Sequence, residues 1–180
     1  MKPRGLLMIE HRLIEKVLLL IKDEIECIRA NDTVDPYFIQ SVVDFIRTYA
    51  DRTHHGKEED IMFEQLKTKA MSPEDLAIMA ELAAEHDNAR DACSKLNEAE
   101  TALINGDKSQ VSVIRETLAF LVNLYPDHIA KEDKIFFPNT EHYFTDEEQT
   151  QMLEEFYTFD RQMIHEKYNK LYESLKRNFD

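Results

Sequence analysis

The residue types best suited to holding a metal ion recur in this chain at a fixed spacing. His54 and Glu58 stand four apart, and so do His128 and Glu132. On an α-helix that spacing stacks two side chains on one face, where both can reach the same point. The surrounding stretch repeats too: His54-His55-Gly56-Lys57-Glu58-Glu59-Asp60-Ile61 aligns without a gap on His128-Ile129-Ala130-Lys131-Glu132-Asp133-Lys134-Ile135. Lys57 thereby meets Lys131, and the acid Glu59 meets the acid Asp133. Nearly the same offset carries His11 onto His86, so each half holds a lone histidine followed by His-x-x-x-Glu. His11, His54, Glu58, His86, His128 and Glu132 thus form a two-fold set. Imidazole and carboxylate donors suit iron, zinc or manganese, and the lack of ligand thiols argues against a cysteine-rich structural zinc site. Buried glutamates need a cation or a partner. Neither motif has a lysine or arginine on the same helical face, so a metal is expected, and two carboxylates able to bridge suggest two metals.

These residues need helices to bring them together. Leu7, His11, Ile14, Leu18, Ile21, Ile25 and Ile28 recur at the spacing of one helical stripe, predicting a helix from Gly5 to about Ala30. Asp35-Pro36 and Ser72-Pro73 each offer a cap followed by proline, opening a second and a third helix. Counted at 3.6 residues per turn, His54 shares a face with Ile39, Val43, Ile46 and Ala50, and so points inward. His55 shares its phase with Asp44, Arg47, Thr48, Asp51 and Arg52; it is expected to face outward or, at most, to stand behind the ligands. The third stripe runs Ile78, Met79, Leu82, His86, Ala89, Cys93 and Leu96, and Gly106 supplies a left-handed end. A fourth helix from about Ser109 carries Ile114, Leu118, Leu121, His128, Glu132 and Phe136. Pro126 predicts a kink there, read either as aiming His128 or as tolerated strain. Pro138 is expected to close that helix, and Thr145-Asp146-Glu147-Glu148 has the form of a capping box for a fifth. On the fifth, Leu153, Phe156, Tyr157, Ile164, Tyr168, Leu171, Tyr172 and Leu175 form an apolar face, which His165 shares. His165 is either a hydrogen-bonded core histidine or a further ligand. His142, on the connection, is expected to be exposed.

Length and composition fit this picture. A chain of 180 residues with 43% hydrophobic content suits a single domain. Only three Gly and five Pro, with no Trp, favour helix over sheet. The expected fold is all-α: an antiparallel up-down four-helix bundle over about 5–138, with an additional C-terminal helix over about 146–178 docked on it, all one domain of 1–180. A net charge of −14 argues against nucleic-acid or anionic-membrane partners. There is no apolar run of the ~18–20 residues a membrane span needs, so the expected place is the cytoplasm. Cys27 and Cys93 lack CxxC spacing and read as reduced core thiols.

With the constellation assembled, the sequence resembles the hemerythrin-like, or HHE cation-binding, family. The resemblance rests on Glu10-His11, on His54-His55-Gly56-Lys57-Glu58-Glu59 with Met62-Phe63, on Glu85-His86, and on His128-x-x-x-Glu132 with Phe136-Phe137-Pro138, and it covers about residues 6–138. It implies a bundle holding two iron ions with a bridging oxygen species. It further implies that Glu58 and Glu132 bridge them, with His11 and His54 near one iron and His86 and His128 near the other. The oxygen-carrying members hold two histidines four apart on the third helix, but here Leu82 and Arg90 flank His86. The fourth-helix acid of those carriers lies five residues after its histidine, where this chain has Asp133; Glu132 is preferred because it repeats Glu58. Two six-coordinate irons offer about twelve positions. Four histidines, two bridging carboxylates and a bridging oxygen leave about two of them open, one of which His165 could fill. The implied function is binding of dioxygen, peroxide or a related small ligand for storage, delivery or sensing. The rivals are a di-iron enzyme that decomposes peroxide or oxidises ferrous iron, and an iron-binding or iron-responsive structural module.

Overall fold

A computed structural model describes the backbone of residues 1–176, together with the side chains through residue 163 and those at 165 and 167. The described residues are helical, joined by short connections, with no strand among them. Helix α1 (Pro3–Asn31) ends where Asp32 turns left-handed, at φ 51°, and its N–H bonds back to Ile28 O. Its buried face is the stripe read from the sequence, Leu7 and His11 through Ile28. Helix α2 covers 36–67. Asp35 caps it by accepting the N–H of Tyr37 at 2.9 Å, with Pro36 in the first turn. It starts α-helical (Pro36–Phe45), widens to π-helix over Ile46–His55 and Glu58–Phe63, and tightens again at Glu64–Lys67.

Helix α3 (Pro73–Ile104) is capped by Ser72, which accepts the N–H of Asp75 at 3.1 Å. Gly106 follows it at φ 101°, a conformation that costs any other residue strain. Helix α4 covers 110–140, α-helical over Gln110–Lys131, π-helical over Glu132–Phe136 and α-helical again over Phe137–Thr140. Pro126 lies within it without ending it. Pro138 does not close it either: proline needs no N–H in the first turn of Phe137–Thr140, and a 3₁₀ turn, Glu141–Tyr143, follows. Helix α5 (Asp146–Lys176) opens with a reciprocal box in which Thr145 N donates to Glu148 Oε2 (2.9 Å) and Glu148 N donates to Thr145 Oγ1 (3.2 Å).

Two apolar clusters lie at different heights. One joins α1, α2, α3 and α4 through residues such as Ile14, Leu18, Ile46, Leu96, Leu118 and Leu121. The other joins Leu7, Met62, Phe63, Leu82, Phe136 and Phe137 to Phe144, Met152 and Phe156. Each large apolar side chain buried in them stabilises by about 1.5–3 kcal/mol. In α1 the sequence passes from Leu7 of one cluster through His11 to Ile14 of the other, and each of the other three helices does the same. The layer between the clusters is polar.

Helix α5 packs on α1 and on the π-helical part of α2. Gly56 is needed for that approach, since a Cβ there would stand 2.7 Å from Phe159 Cζ. Several expectations fail at the periphery. Tyr157 is 42% exposed rather than docked, because the face that packs is the one carrying Met152 and Phe156. Cys27 is an exposed thiol and only Cys93 is buried. The side chains of Ile164, Tyr168, Leu171, Tyr172 and Leu175, and residues 177 and 178 of the expected helix, lie outside the described residues. His142 is exposed, as expected.

Candidate metal centre

His11, His54, His55, Glu58, His86, His128 and Glu132 are all buried in the polar layer. Their donor atoms fall into two groups, one of His11, His54, Glu58 and Glu132, the other of His55, His86 and His128. The two glutamates link them. Glu58 sets one oxygen 3.5 Å from His54 Nε2 and the other 3.4 Å from His86 Nε2. Glu132 sets Oε2 3.1 Å from His11 Nε2 and 3.3 Å from His128 Nε2, with Oε1 3.8 Å from His86 Nε2. Each carboxylate therefore faces imidazoles of both groups, the position of a bridge.

Four histidines are oriented in the same way. Each Nδ1–H donates to a carboxylate: His11 to Asp133 (2.7 Å), His54 to Glu10 (2.9 Å), His86 to Glu59 (2.6 Å) and His128 to Glu85 (2.8 Å). An ionised carboxylate has no proton to give, so Nδ1 carries it and Nε2 is left with a bare lone pair. A basic side chain holds each carboxylate in turn: Arg12 for Asp133, Lys57 for Glu10, Arg90 for Glu59 at 2.8 Å and Lys131 for Glu85 at 2.6 Å. Such a relay fixes tautomer and ring direction and strengthens imidazole as a ligand. Burial raises the carboxyl pKa of Glu10, Glu59 and Glu85, but the imidazole and Lys or Arg contacts outweigh it and keep each below its ordinary range.

Inside the relay, acceptors face one another. His11 Nε2 and His54 Nε2 are 2.8 Å apart, and His86 Nε2 and His128 Nε2 are 3.2 Å apart. With one proton on each Nδ1 those are lone pairs pointed at each other, and without a metal only a second proton, which His11 takes up, relieves the first pair. Two ligands at about 2.1 Å and a right angle on one metal would themselves be about 3 Å apart. Both oxygens of Glu58, both of Glu132 and both nitrogens of His55 are buried without a hydrogen-bond partner. Burial and the facing Glu132 push Glu58 well above the usual carboxyl range. Burial drives His54 down to about 4 and His55 well below its ordinary value, the neighbouring imidazoles adding to the latter. On His11 burial is outweighed by Asp133 and Glu132, and its pKa rises to about 9. Orphaned acceptors of this number fit metal ions and little else.

A family model described as Hemerythrin HHE cation binding domain matches residues 3–140. The chain belongs to the hemerythrin HHE family. Curated relatives, uncharacterized proteins of Mycobacterium bovis and of two strains of Mycobacterium tuberculosis, are 24% identical over 132 residues. The match takes in 73% of this chain and 51% of each relative, so the chain spans about half the length of the curated relatives it matches. No solved structure matches it.

Within this HHE domain, the six residues of the two-fold set converge, His55 turns inward beside them, and His165 does not join them. His165 is exposed on α5 and belongs to neither donor group. His55 is 1% exposed, and its ring stacks on His86 with centroids 3.8 Å apart. The cause is the π-helix over Ile46–His55. Bonding five residues back adds a residue to the turn, so a phase counted at 3.6 per turn slips and the neighbour of His54 also turns inward. All three π-helical stretches carry cluster residues: His54 and His55, then Glu58, then Glu132. The relay acids and bases had no assigned role in the sequence, yet the repeat had already paired Lys57 with Lys131 and Glu59 with Asp133, and a Glu precedes both His11 and His86.

Proposed function

We propose that the protein is a cytosolic di-iron protein that binds dioxygen or a related small ligand reversibly, built as one up-down four-helix bundle with α5 as an outer helix. The observation that carries this reading is the set of four carboxylate oxygens on Glu58 and Glu132, buried without hydrogen bonds and each carboxylate lying between the two imidazole groups. His11, His54, His55, His86 and His128 with Glu58 and Glu132 would hold the two ions, and the His11 and His54 group, one imidazole short of the other, would be the side left with an open position for a small ligand. Bound between these residues, two iron ions would supply the reversible electron transfer that dioxygen binding requires.

The protein's own groups do the rest. The relays present Nε2 inward, and the apolar clusters above and below keep water from the layer. Phe137 lies parallel to the His11 ring at 6.0 Å, and a small pocket lined by apolar Pro3, Met62, Phe137, Phe144 and Met152 and by polar Arg4, Thr140, Glu141 and Gln149 opens beside Phe137. Cleaving an O–O bond requires a delivered proton, and the imidazole protons here sit on Nδ1, aimed away from the centre. This supports reversible binding over peroxide decomposition.

The test is metal analysis followed by anaerobic reduction and admission of air. Two iron equivalents and a visible charge-transfer band that fades under argon are expected. Rapid evolution of oxygen from added peroxide would replace this reading with an enzymatic one. Iron without either response would leave a metal-dependent structural module.

A further inference from the structure

The two lysines of the relay differ in their second partner. Lys131 shares its ammonium between Glu85 and Glu81, which is exposed at the surface. Lys57, its counterpart, is 0% exposed and divides its ammonium between Glu10 and Asp160, whose Oδ1 lies 2.7 Å away on α5. A lysine is almost never fully buried unless paired. Here the second partner comes from an element outside the internal repeat. Phe159, the residue before Asp160, is seated over Gly56, and Met152 and Phe156 anchor the same helix in the core, so the distance from Asp160 to Lys57 is fixed by packing. Burial, with Glu10 and Asp160 close by, raises the half-buried Tyr49 phenol to about 12, which marks both carboxylates as its neighbours.

We propose that Asp160 is a positioning residue for the metal centre, drawing Lys57 partly off Glu10 and so setting how strongly His54 donates to its metal. The inference rests on the di-iron reading above. The ammonium charge that Glu10 feels depends on how much of it Asp160 takes. With both carboxylates in place, Glu10 keeps enough negative charge to accept the His54 Nδ1–H at 2.9 Å and to make Nε2 a stronger donor. Without the Asp160 charge the ammonium falls wholly on Glu10, which then pulls less on the imidazole proton. His54 donates less, the ferric state loses stabilisation, and an added anion is held more tightly. Because His54 belongs to the group with the open position, this effect falls where the ligand enters. The coupling is reciprocal: a change of charge at the metal alters how firmly α5 is held. Sequence spacing had pointed to His165 for such a link, and the contact runs through Asp160 instead.

Asp160→Asn, Asp160→Glu and Glu155→Gln are compared with wild type as full-length, iron-loaded protein. Glu155 lies on the same helix and contacts Gln65, not Lys57, so its variant removes equal charge without touching the relay. The readouts are azide titration of the oxidised protein and the reduction potential by spectroelectrochemistry, at matched iron content. Asp160→Asn should bind azide about threefold more tightly, below the 10–100-fold typical of a direct partner of a ligand, and its potential should become more positive. Asp160→Glu should restore both values, and Glu155→Gln should leave them unchanged. If Asp160→Asn lowers the melting temperature alone, or Glu155→Gln shifts both readouts equally, the proposal is overturned. Failure of wild type to take up iron would instead overturn the di-iron reading, and this inference with it.

Discussion

Replacing His55 by leucine separates a metal ligand from a packing residue, because the two roles predict opposite signs in metal-free protein. The imidazole is buried with neither nitrogen hydrogen-bonded, and its nearest carboxylate, Asp51 Oδ1, stands 3.6 Å from Nδ1, too far for a bond. Burying such a group unsatisfied costs about 1–3 kcal/mol. Against this the stack on His86 returns about 0.5–1.5 kcal/mol. Leucine has similar bulk and no polar atoms, so the chelated variant should gain roughly 1 kcal/mol, or about 2–4 °C in melting temperature for a chain of this size. Iron-loaded protein should move the other way. A hundredfold loss of metal affinity narrows the gap between loaded and chelated forms by about 2.7 kcal/mol. Calorimetry of both forms, with iron content and visible spectrum, tests this. A variant that melts several degrees lower when chelated, yet keeps wild-type iron and spectrum, would refute the assignment of His55 as a ligand.

Asp75 accepts hydrogen bonds from Tyr143 OH (2.7 Å) and Ser72 Oγ (2.9 Å), tying the start of α3 to the turn before α5. Asp75→Ala should cost about 1–2 kcal/mol in urea unfolding while leaving iron content unchanged, since the contact lies outside the donor groups; loss of iron would show that the two ends are coupled. Chelated protein should lose stability between pH 6.5 and 4.5. His54, held near 4, and His55, held well below its ordinary value, refuse protons that the unfolded chain accepts below about 6.5. Glu58, raised above its unfolded value, opposes them with one proton. His11, near 9, contributes fully below 6.5 and loses that contribution only as pH rises through 9, so it does not offset the loss. The net is one proton, about 1.4 kcal/mol per pH unit, and urea midpoints that rise from pH 6.5 to pH 5 would contradict it.

The helices were legible because their buried stripes and caps are local. Asp35-Pro36, Ser72-Pro73 and the Thr145 box each satisfy orphan N–H groups within three residues, so short stretches of sequence carry the signal. The convergence of the two-fold His/Glu set was legible for a different reason: a pair of His-x-x-x-Glu motifs at matching positions in the two halves fixes its own register. The arrangement of α5 was less so, since its outward and inward faces both carry large apolar residues, and only packing selects Met152 and Phe156 over Tyr157.

The misreading of His55 has a cause that applies beyond this residue. In the sequence Asp51 marks a face toward water, because polar residues at helical spacing usually do. That face instead meets α3, where Arg90 joins Asp51 at 2.7 Å and Glu59 at 2.8 Å, and Glu59 receives the His86 proton. Asp51 and Glu59 are polar because they share Arg90, and Glu59 in turn steers the His86 imidazole. The same holds for Lys57, whose charge in the sequence signals solvent and whose position in the fold is wholly enclosed. A hydrophobic pattern cannot separate a solvated face from a buried relay, since both are written in the same residue types. The repeat can: a solvated lysine has no reason to recur beside a buried glutamate, whereas Lys57 and Lys131 recur because Glu10 and Glu85 each need a cation behind an imidazole. His55 has no counterpart, the matching residue being Ile129, and this departure from the repeat makes the centre unequal, with three imidazoles in one donor group and two in the other.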